Sequence, residues 1–370
     1  MKEHITDKLS DRRSFLRRSA LTAGAMTMSA AVLGRSIPTF GEQSADASGS
    51  LNAGDVALLR MVAAAELVET DLWQQYAELG GVTEGVQTNY QLALQFLDDD
   101  GSQYITSNTL DELSHAQFLN AYLSAHGAPP VNFDQFRTLP SSMATGAQQI
   151  GRLTNLTKLT VDTSWYIRYR SATNPDFGAT YPQAIKIVNR PSIPLTNADF
   201  EPSDHIQAIA DTAAFHFGAI EQGGTSLYAT LAQKASSLEV VRILVSIGGD
   251  EVAHFLEWVD FAGNAVSGPP YSFAGSQTPV TDNGLTFFNF NDLNNQLFQT
   301  NLIFPVPCEF ISPNLPKCAV VRPTSDAVGG AMAAARGFIN SGLFIGQSQA
   351  FIREFLAIAQ AADAAVRECD

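Results

Sequence analysis

The word Asp-Glu-x-x-His occurs twice in this chain, in "LDELSHAQFL" at Asp111–His115 and in "GGDEVAHFLEW" at Asp250–His254. Residues three apart in a helix share a face, about one turn from each other. Glu112 with His115, and Glu251 with His254, therefore each present a carboxylate and an imidazole to one object. The chain has only six histidines. At this composition the expected number of such words is on the order of one in a hundred, so a chance pair is improbable. Two helices that turn carboxylate and imidazole toward a common pocket restrict the fold to a bundle around a polar centre.

The surrounding pattern supplies the helices. "AGDVALLRMVAAAELVETDLWQQYAELGG" (Ala53–Gly81) has apolar residues recurring at three and four, Asp55 as a candidate N-cap and Gly80-Gly81 as a stop. A shorter helical piece is expected over 84–98, broken by "DDDG" at Asp98–Gly101. The next helix, about Thr106 to Ala125, carries the first word. Residues 127–202 are rich in Gly, Pro, Asn and Thr, and the pattern returns over Pro202–Gln233 and again over Leu238–Phe261, which carries the second word. Residues 263–324 read as a loop-rich insertion with strand-like fragments such as "LTFFNF", and Ser325 to Arg367 as Ala-rich helix. The fold class is all-α: a four-helix bundle over 51–262 with one long crossover at 127–202, followed by the insertion and a C-terminal helical segment, 325–370.

Four ligands do not complete a binuclear site. A bundle of this kind adds one inward Glu from each of the two remaining helices. The third helix offers Glu221 alone. The first offers Glu66, Glu69 and Glu78. Glu221 precedes Tyr228 by seven residues and Glu69 precedes Tyr76 by seven, so each tyrosine shares its glutamate's face two turns on. That match favours Glu69, with Glu66 one turn back as the alternative; both tyrosines also suit ordinary core packing. A metal-bound imidazole gives its other N–H to a carboxylate or carbonyl. Asp250 is expected to hold His115, and Asp111 to hold His254, across the helix pair. Gly223-Gly224 and Gly248-Gly249 flank the ligand positions and either open space beside the ions or allow close helix packing. His126, His205 and His216 read as structural.

The set Glu69…Tyr76, Asp111-Glu112-x-x-His115, Glu221…Tyr228 and Asp250-Glu251-x-x-His254 resembles the ferritin-like di-metal carboxylate superfamily, over residues 53–262. With its crossover and C-terminal extension, the chain is similar to exported bacterial ferritin-like domain proteins grouped with plant desiccation-related proteins. The resemblance implies two iron ions, with manganese as the alternative. Glu112 and Glu251 would bridge them, Glu69 with His115 would complete one shell, and Glu221 with His254 the other. It further implies that each tyrosine bonds the terminal glutamate of the opposite helix pair, and that dioxygen or peroxide is the substrate. Gly224 stands where rubrerythrin-type sites carry an additional Glu, which counts against rubrerythrin-like behaviour. Two readings follow: an oxidoreductase acting in stress protection, or a non-enzymatic desiccation or envelope protein with a structural metal site.

The N-terminus points to the destination. "DRRSFLRR" (Asp11–Arg18), a mild apolar run from Ala20 to Leu33 and "ADA" at 45–47 resemble a twin-arginine export signal. Export by that machinery would deliver a folded protein to the periplasm or beyond. Residues 1–47 carry seven basic and five acidic residues, so cleavage takes the net charge from −15 to −17. Such a surface repels nucleic acid and anionic lipid. No later segment is long and apolar enough to span a membrane, and homo-oligomerisation is left open. An oxidising compartment favours a Cys308–Cys318 bridge, with Cys369 left over.

Overall fold

A computed structural model describes residues 51–83, 87–166, 182–201, 203–265, 280–287, 305–306, 311–312, 314–319 and 330–368. The expected export leader and Cys308, and with it the expected bridge, lie outside the described residues, as does Cys369. Four long helices dominate: α1 (Ala53–Gly80), α3 (Gly101–Ala125), α4 (Ser203–Leu231) and α5 (Leu238–Gly263). A short α2 (Thr88–Leu97) precedes α3, and α6 (Ala331–Asn340) and α7 (Gln349–Asp363) follow near the C-terminus. At about 1.5 Å per residue the long helices each span roughly 40 Å. Strands among the described residues are two to four residues long and pair only in twos.

The chain packs as two intimate pairs, α1 with α3 and α4 with α5. Direction within the first pair follows from its bonds. Arg60 near the start of α1 donates to the Pro129 carbonyl just past the end of α3, and the amide of Val82, past the end of α1, bonds Thr106 near the start of α3. The second pair is joined by a short turn that Asp55 of α1 holds, accepting from the amides of Ser236 and Ser237 at 2.9 Å each. Asp55 is therefore not the N-cap expected of it. Asn52 fills that role, accepting from the Asp55 amide at 2.7 Å. The third helix boundary also moves. α3 begins at Gly101 rather than near Thr106, and Gly101 fits directly against the Phe261 ring, where a Cβ would lie 2.3 Å from a ring carbon.

The core is unevenly distributed. α1 and α4 are buried along nearly their whole length, whereas α3 and α5 bury only one face each. The crossover explains part of this. Buried Asp71 of α1 accepts from the amides of Leu153 and Thr154, from Thr154 Oγ1 and from Arg137. Buried Arg152 pairs with Glu78. These bonds pin residues 137–154 across α1, while α7 packs along it and α2 and α6 pack on α4. Leu110, Phe118, Val245 and Leu256 remain exposed on the outer faces of α3 and α5.

A two-stranded hairpin also rests on α4. β1 (Val280–Asp282) and β2 (Leu285–Phe287) turn through Asn283-Gly284 with φ of 45° and 80°, the left-handed pair such a tight turn demands.

Candidate metal centre

Both Asp-Glu-x-x-His words face the interior at the same depth. Their glutamates are fully buried and the two imidazole rings lie 6.5 Å apart. Two overlapping, wholly buried donor sets result, and the half-exposed Asp111 and Asp250 form a third group with His254. Glu66, Glu112, His115 and Glu251 each offer an atom to the first, and Glu112, Glu221, Glu251 and His254 to the second; within each set the atoms lie within 4.8 Å of one another. Oxygen and nitrogen ligands at about 2.0–2.6 Å from an ion stand no more than about 5 Å apart, so either set can surround one cation. Glu112 and Glu251 belong to both.

The first set takes Glu66 where Glu69 was expected. Glu69 is buried beside the cluster, within electrostatic reach of Glu66, Glu112, Glu221 and His254, but no donor set includes it. The tyrosine argument fails for a local reason. The residue seven past Glu66 is Trp73, and Tyr76 points elsewhere, its hydroxyl 2.7 Å from Ser192 Oγ and 2.7 Å from His216 Nδ1. Tyr76 thus makes no bond to Glu221. Tyr228 does reach across the helix pairs, donating a short hydrogen bond to Glu66.

The imidazoles are held from behind. His115 Nε2 lies 3.2 Å from Asp250 Oδ2, and His254 Nε2 lies 3.4 Å from Asp111 Oδ2. Donation from Nε2 to these half-exposed aspartates leaves each Nδ1 lone pair facing inward. His115 Nδ1 stands 3.3 Å from Glu112 and 3.4 Å from Glu66, and His254 Nδ1 3.3 Å from both Glu112 and Glu221. Sequence reasoning missed Asn108, one turn before Glu112 on the same face. Its Nδ2 donates to Glu112 Oε1 at 2.7 Å, and its Oδ1 accepts from Trp258 Nε1 at 2.7 Å. The spacing of four was the available signal.

Gly224 has a specific task. A Cβ there would lie 1.9 Å from Glu251 Oε2, so only glycine lets that carboxylate occupy the pocket. Gly248 admits the Tyr228 side chain, whereas Gly249 faces open space.

Electrostatically, the cluster without cations is unstable as a set of anions. Burial pushes the Glu66 carboxyl up to about 8, the Glu112 charge adding to the effect and His115 opposing it. Burial, then neighbouring carboxylates, hold Glu69 and Glu251 well above the ordinary carboxylate range. Burial works to lower His115, yet its hydrogen bonds to Glu112 and Glu66 and their charges outweigh that and raise it to about 10. His254 is raised too: burial opposes, but the Glu221 charge and bonds to Asp111, Glu112 and Glu221 prevail. Glu221 Oε1 and both Glu251 oxygens are buried with no hydrogen-bond partner among the described residues, and Glu66 Oε2 has only the His115 imidazole, at 3.4 Å. Buried polar atoms are normally satisfied. Three orphaned carboxylate oxygens, with Glu66 Oε2 beside them, converge between two inward imidazole nitrogens, and these buried Glu and His groups could hold metal.

Among the described residues, no helix is long and apolar enough to cross a membrane. No family model, curated protein or solved structure matches the chain.

Proposed function

We propose that this chain is an exported ferritin-like protein whose bundle holds a carboxylate-bridged pair of iron ions, or of manganese, for redox chemistry with dioxygen or hydrogen peroxide. One observation carries the reading: two four-donor sets share Glu112 and Glu251 and leave three buried carboxylate oxygens without any partner among the described residues. Oxygen-rich ligation with one imidazole per site suits hard or borderline first-row ions rather than a thiolate metal. The four shared and terminal glutamates carry four negative charges, which match two divalent ions. Such a pair supplies a one-electron step at each ion and a place where a small oxidant can bind.

The protein's own groups perform the rest. Asp250 and Asp111 fix the histidine tautomers, so that Nδ1 is the free donor at both positions. Tyr228 and Asn108 each donate to a glutamate oxygen, which orients Glu66 and Glu112 and limits the geometries they can adopt. In the cation-free state burial keeps Glu66 largely protonated at neutral pH and the neighbouring carboxylates keep His115 charged; uptake of metal displaces both protons to solvent. Glu69, buried within electrostatic reach of Glu221 and His254, adds a carboxyl beside the donor sets without entering either. The buried walls of α1 and α4 keep bulk water from that side.

The direct test is metal analysis of protein expressed with its own leader, combined with peroxide consumption by the purified product. Two transition-metal ions per chain and turnover that disappears in Glu112→Ala plus Glu251→Ala are expected. A protein that carries no stoichiometric transition metal would remove the proposal.

A further inference from the structure

We propose that Trp258, Trp73 and Tyr76 form a route by which an oxidising equivalent leaves the metal pocket and comes to rest on Tyr76, with His216 taking the phenolic proton. The oxidant is a one-electron oxidant formed at the pocket from dioxygen or hydrogen peroxide, so that part rests on the function proposed above.

The route is continuous. Asn108 bonds Glu112 on one side and the Trp258 indole on the other. Trp258 stacks on Trp73 with ring centroids 5.3 Å apart and planes inclined by 24°. Trp73 lies 5.7 Å from the Tyr76 ring, and Phe217 packs against all three at 4.7–4.8 Å. All three oxidisable rings are fully buried. Adjacent aromatic rings in van der Waals contact exchange electrons far faster than they react with solvent, and burial removes the competing reactions.

The two ends differ chemically. Trp73 Nε1 has no hydrogen-bond partner among the described residues. A Trp73 radical cation therefore has no acceptor for its proton, stays strongly oxidising and passes the hole on. Tyr76 is built for the opposite. Its hydroxyl lies 2.7 Å from His216 Nδ1, with Ser192 Oγ also at 2.7 Å on the phenolic oxygen. In the Nε2-protonated tautomer, Tyr76 donates to Nδ1. On oxidation, one electron moves from Tyr76 to Trp73, the phenolic O–H bond breaks and an N–H bond forms at Nδ1. The products are a neutral tyrosyl radical, an imidazolium and a restored indole.

Burial holds His216 down to about 3 and raises Tyr76. The resting pair is thus neutral on both sides and exchanges its proton only when an electron leaves. A tyrosine radical cation is a much stronger acid than an imidazolium even of this kind, so the transfer runs forward.

The experiment separates this inference from the metal assignment. The three tryptophans of the chain are Trp73, Trp165 and Trp258. In a Trp165→Phe background, a laser flash at the red edge of the indole absorption, where un-ionised phenols do not absorb, ionises only the two indoles of the route in the metal-free protein. The indolyl absorption should decay as tyrosyl absorption grows, more slowly in D2O. Tyr76→Phe should abolish the growth, and His216→Asn, which keeps an acceptor but no base, should leave the indolyl radical standing. Tyrosyl growth that survives Tyr76→Phe overturns the route, and unchanged kinetics in His216→Asn overturn the proton acceptor. If Trp165→Phe does not fold, the same variants in the wild-type background report through loss of signal amplitude. In metal-loaded protein treated with peroxide, freeze-quench EPR should show a tyrosyl radical that Tyr76→Phe removes. Protein that binds metal and consumes peroxide without that radical refutes the inference and leaves the metal reading intact; protein that takes up no metal yet shows the flash transfer does the reverse.

Discussion

Replacing Gly224 by alanine adds one methyl group whose carbon would sit 1.9 Å from Glu251 Oε2. In an ordinary helix interior the change would stabilise by about 0.5–1 kcal/mol through propensity. Here the overlap must be relieved. Leaving the carboxylate in place costs about 1–3 kcal/mol of overpacking. Swinging Glu251 away removes an oxygen from both donor sets at once, since Glu251 belongs to each. Removing even a supporting group from a metal ligand weakens affinity about 10–100-fold, and a shared ligand should be at the upper end or beyond. A 100-fold loss is about 2.7 kcal/mol of metal-linked stability at saturating ion. At about 2–4 °C per kcal/mol for a large domain, the metal-induced rise in Tm should shrink by about 5–10 °C. Gly249→Ala is the control, since its Cβ would meet nothing within 4 Å; it should keep full metal response. Calorimetry with and without Mn²⁺, beside metal analysis of each protein, reads both quantities. If Gly224→Ala retains two ions at wild-type affinity, the placement of Glu251 in the pocket is wrong.

Other expectations follow from the same geometry. Glu66→Ala should lower the metal content from two ions towards one, while Glu69→Ala retains both; the reverse pattern would restore Glu69 as the ligand. Asp250→Asn should weaken binding at the first set about 10–100-fold by releasing the His115 tautomer, measured by competition with a chelator. Stability of the metal-free protein should fall as pH rises. The Glu66 carboxyl is raised from 4.5 to about 8 in the folded state, so the native protein binds more protons across that window and loses stability through it. His115, raised from 6.5 to about 10, contributes stability that is complete below pH 6.5 and lost as pH climbs through 10, which slopes the same way. Bound metal should remove the fall between pH 5 and 8, and a metal-free protein that gains stability over that range would contradict the buried-carboxylate account.

The two words, the four long helices and the lone Glu221 were legible because each depends only on local spacing. The aspartate-to-histidine cross-bonds were legible because a helix pair brings equal depths together. The choice between Glu66 and Glu69 was not. It turned on which tyrosine reaches which carboxylate, and Tyr76 is claimed by Ser192, which lies 116 residues away in the crossover. Asp71 and Glu78 likewise bind Arg137, Leu153, Thr154 and Arg152, 66–83 residues distant in irregular chain. No periodicity announces such partners. The same holds for Gly224: its sequence says only that a side chain is missing, not that a carboxylate fills the space.

The lopsided burial of the four long helices has an evolutionary corollary. Almost every position of α1 and α4 touches something, so drift there is checked at each step, while the outward faces of α3 and α5 offer sites such as Leu110, Phe118 and Val245 that can change at little cost to folding. Toward that side stand His115 and His254, each backed by a half-exposed aspartate. Substitutions on that outer side can therefore alter what approaches the donor cluster without disturbing the rods that hold it.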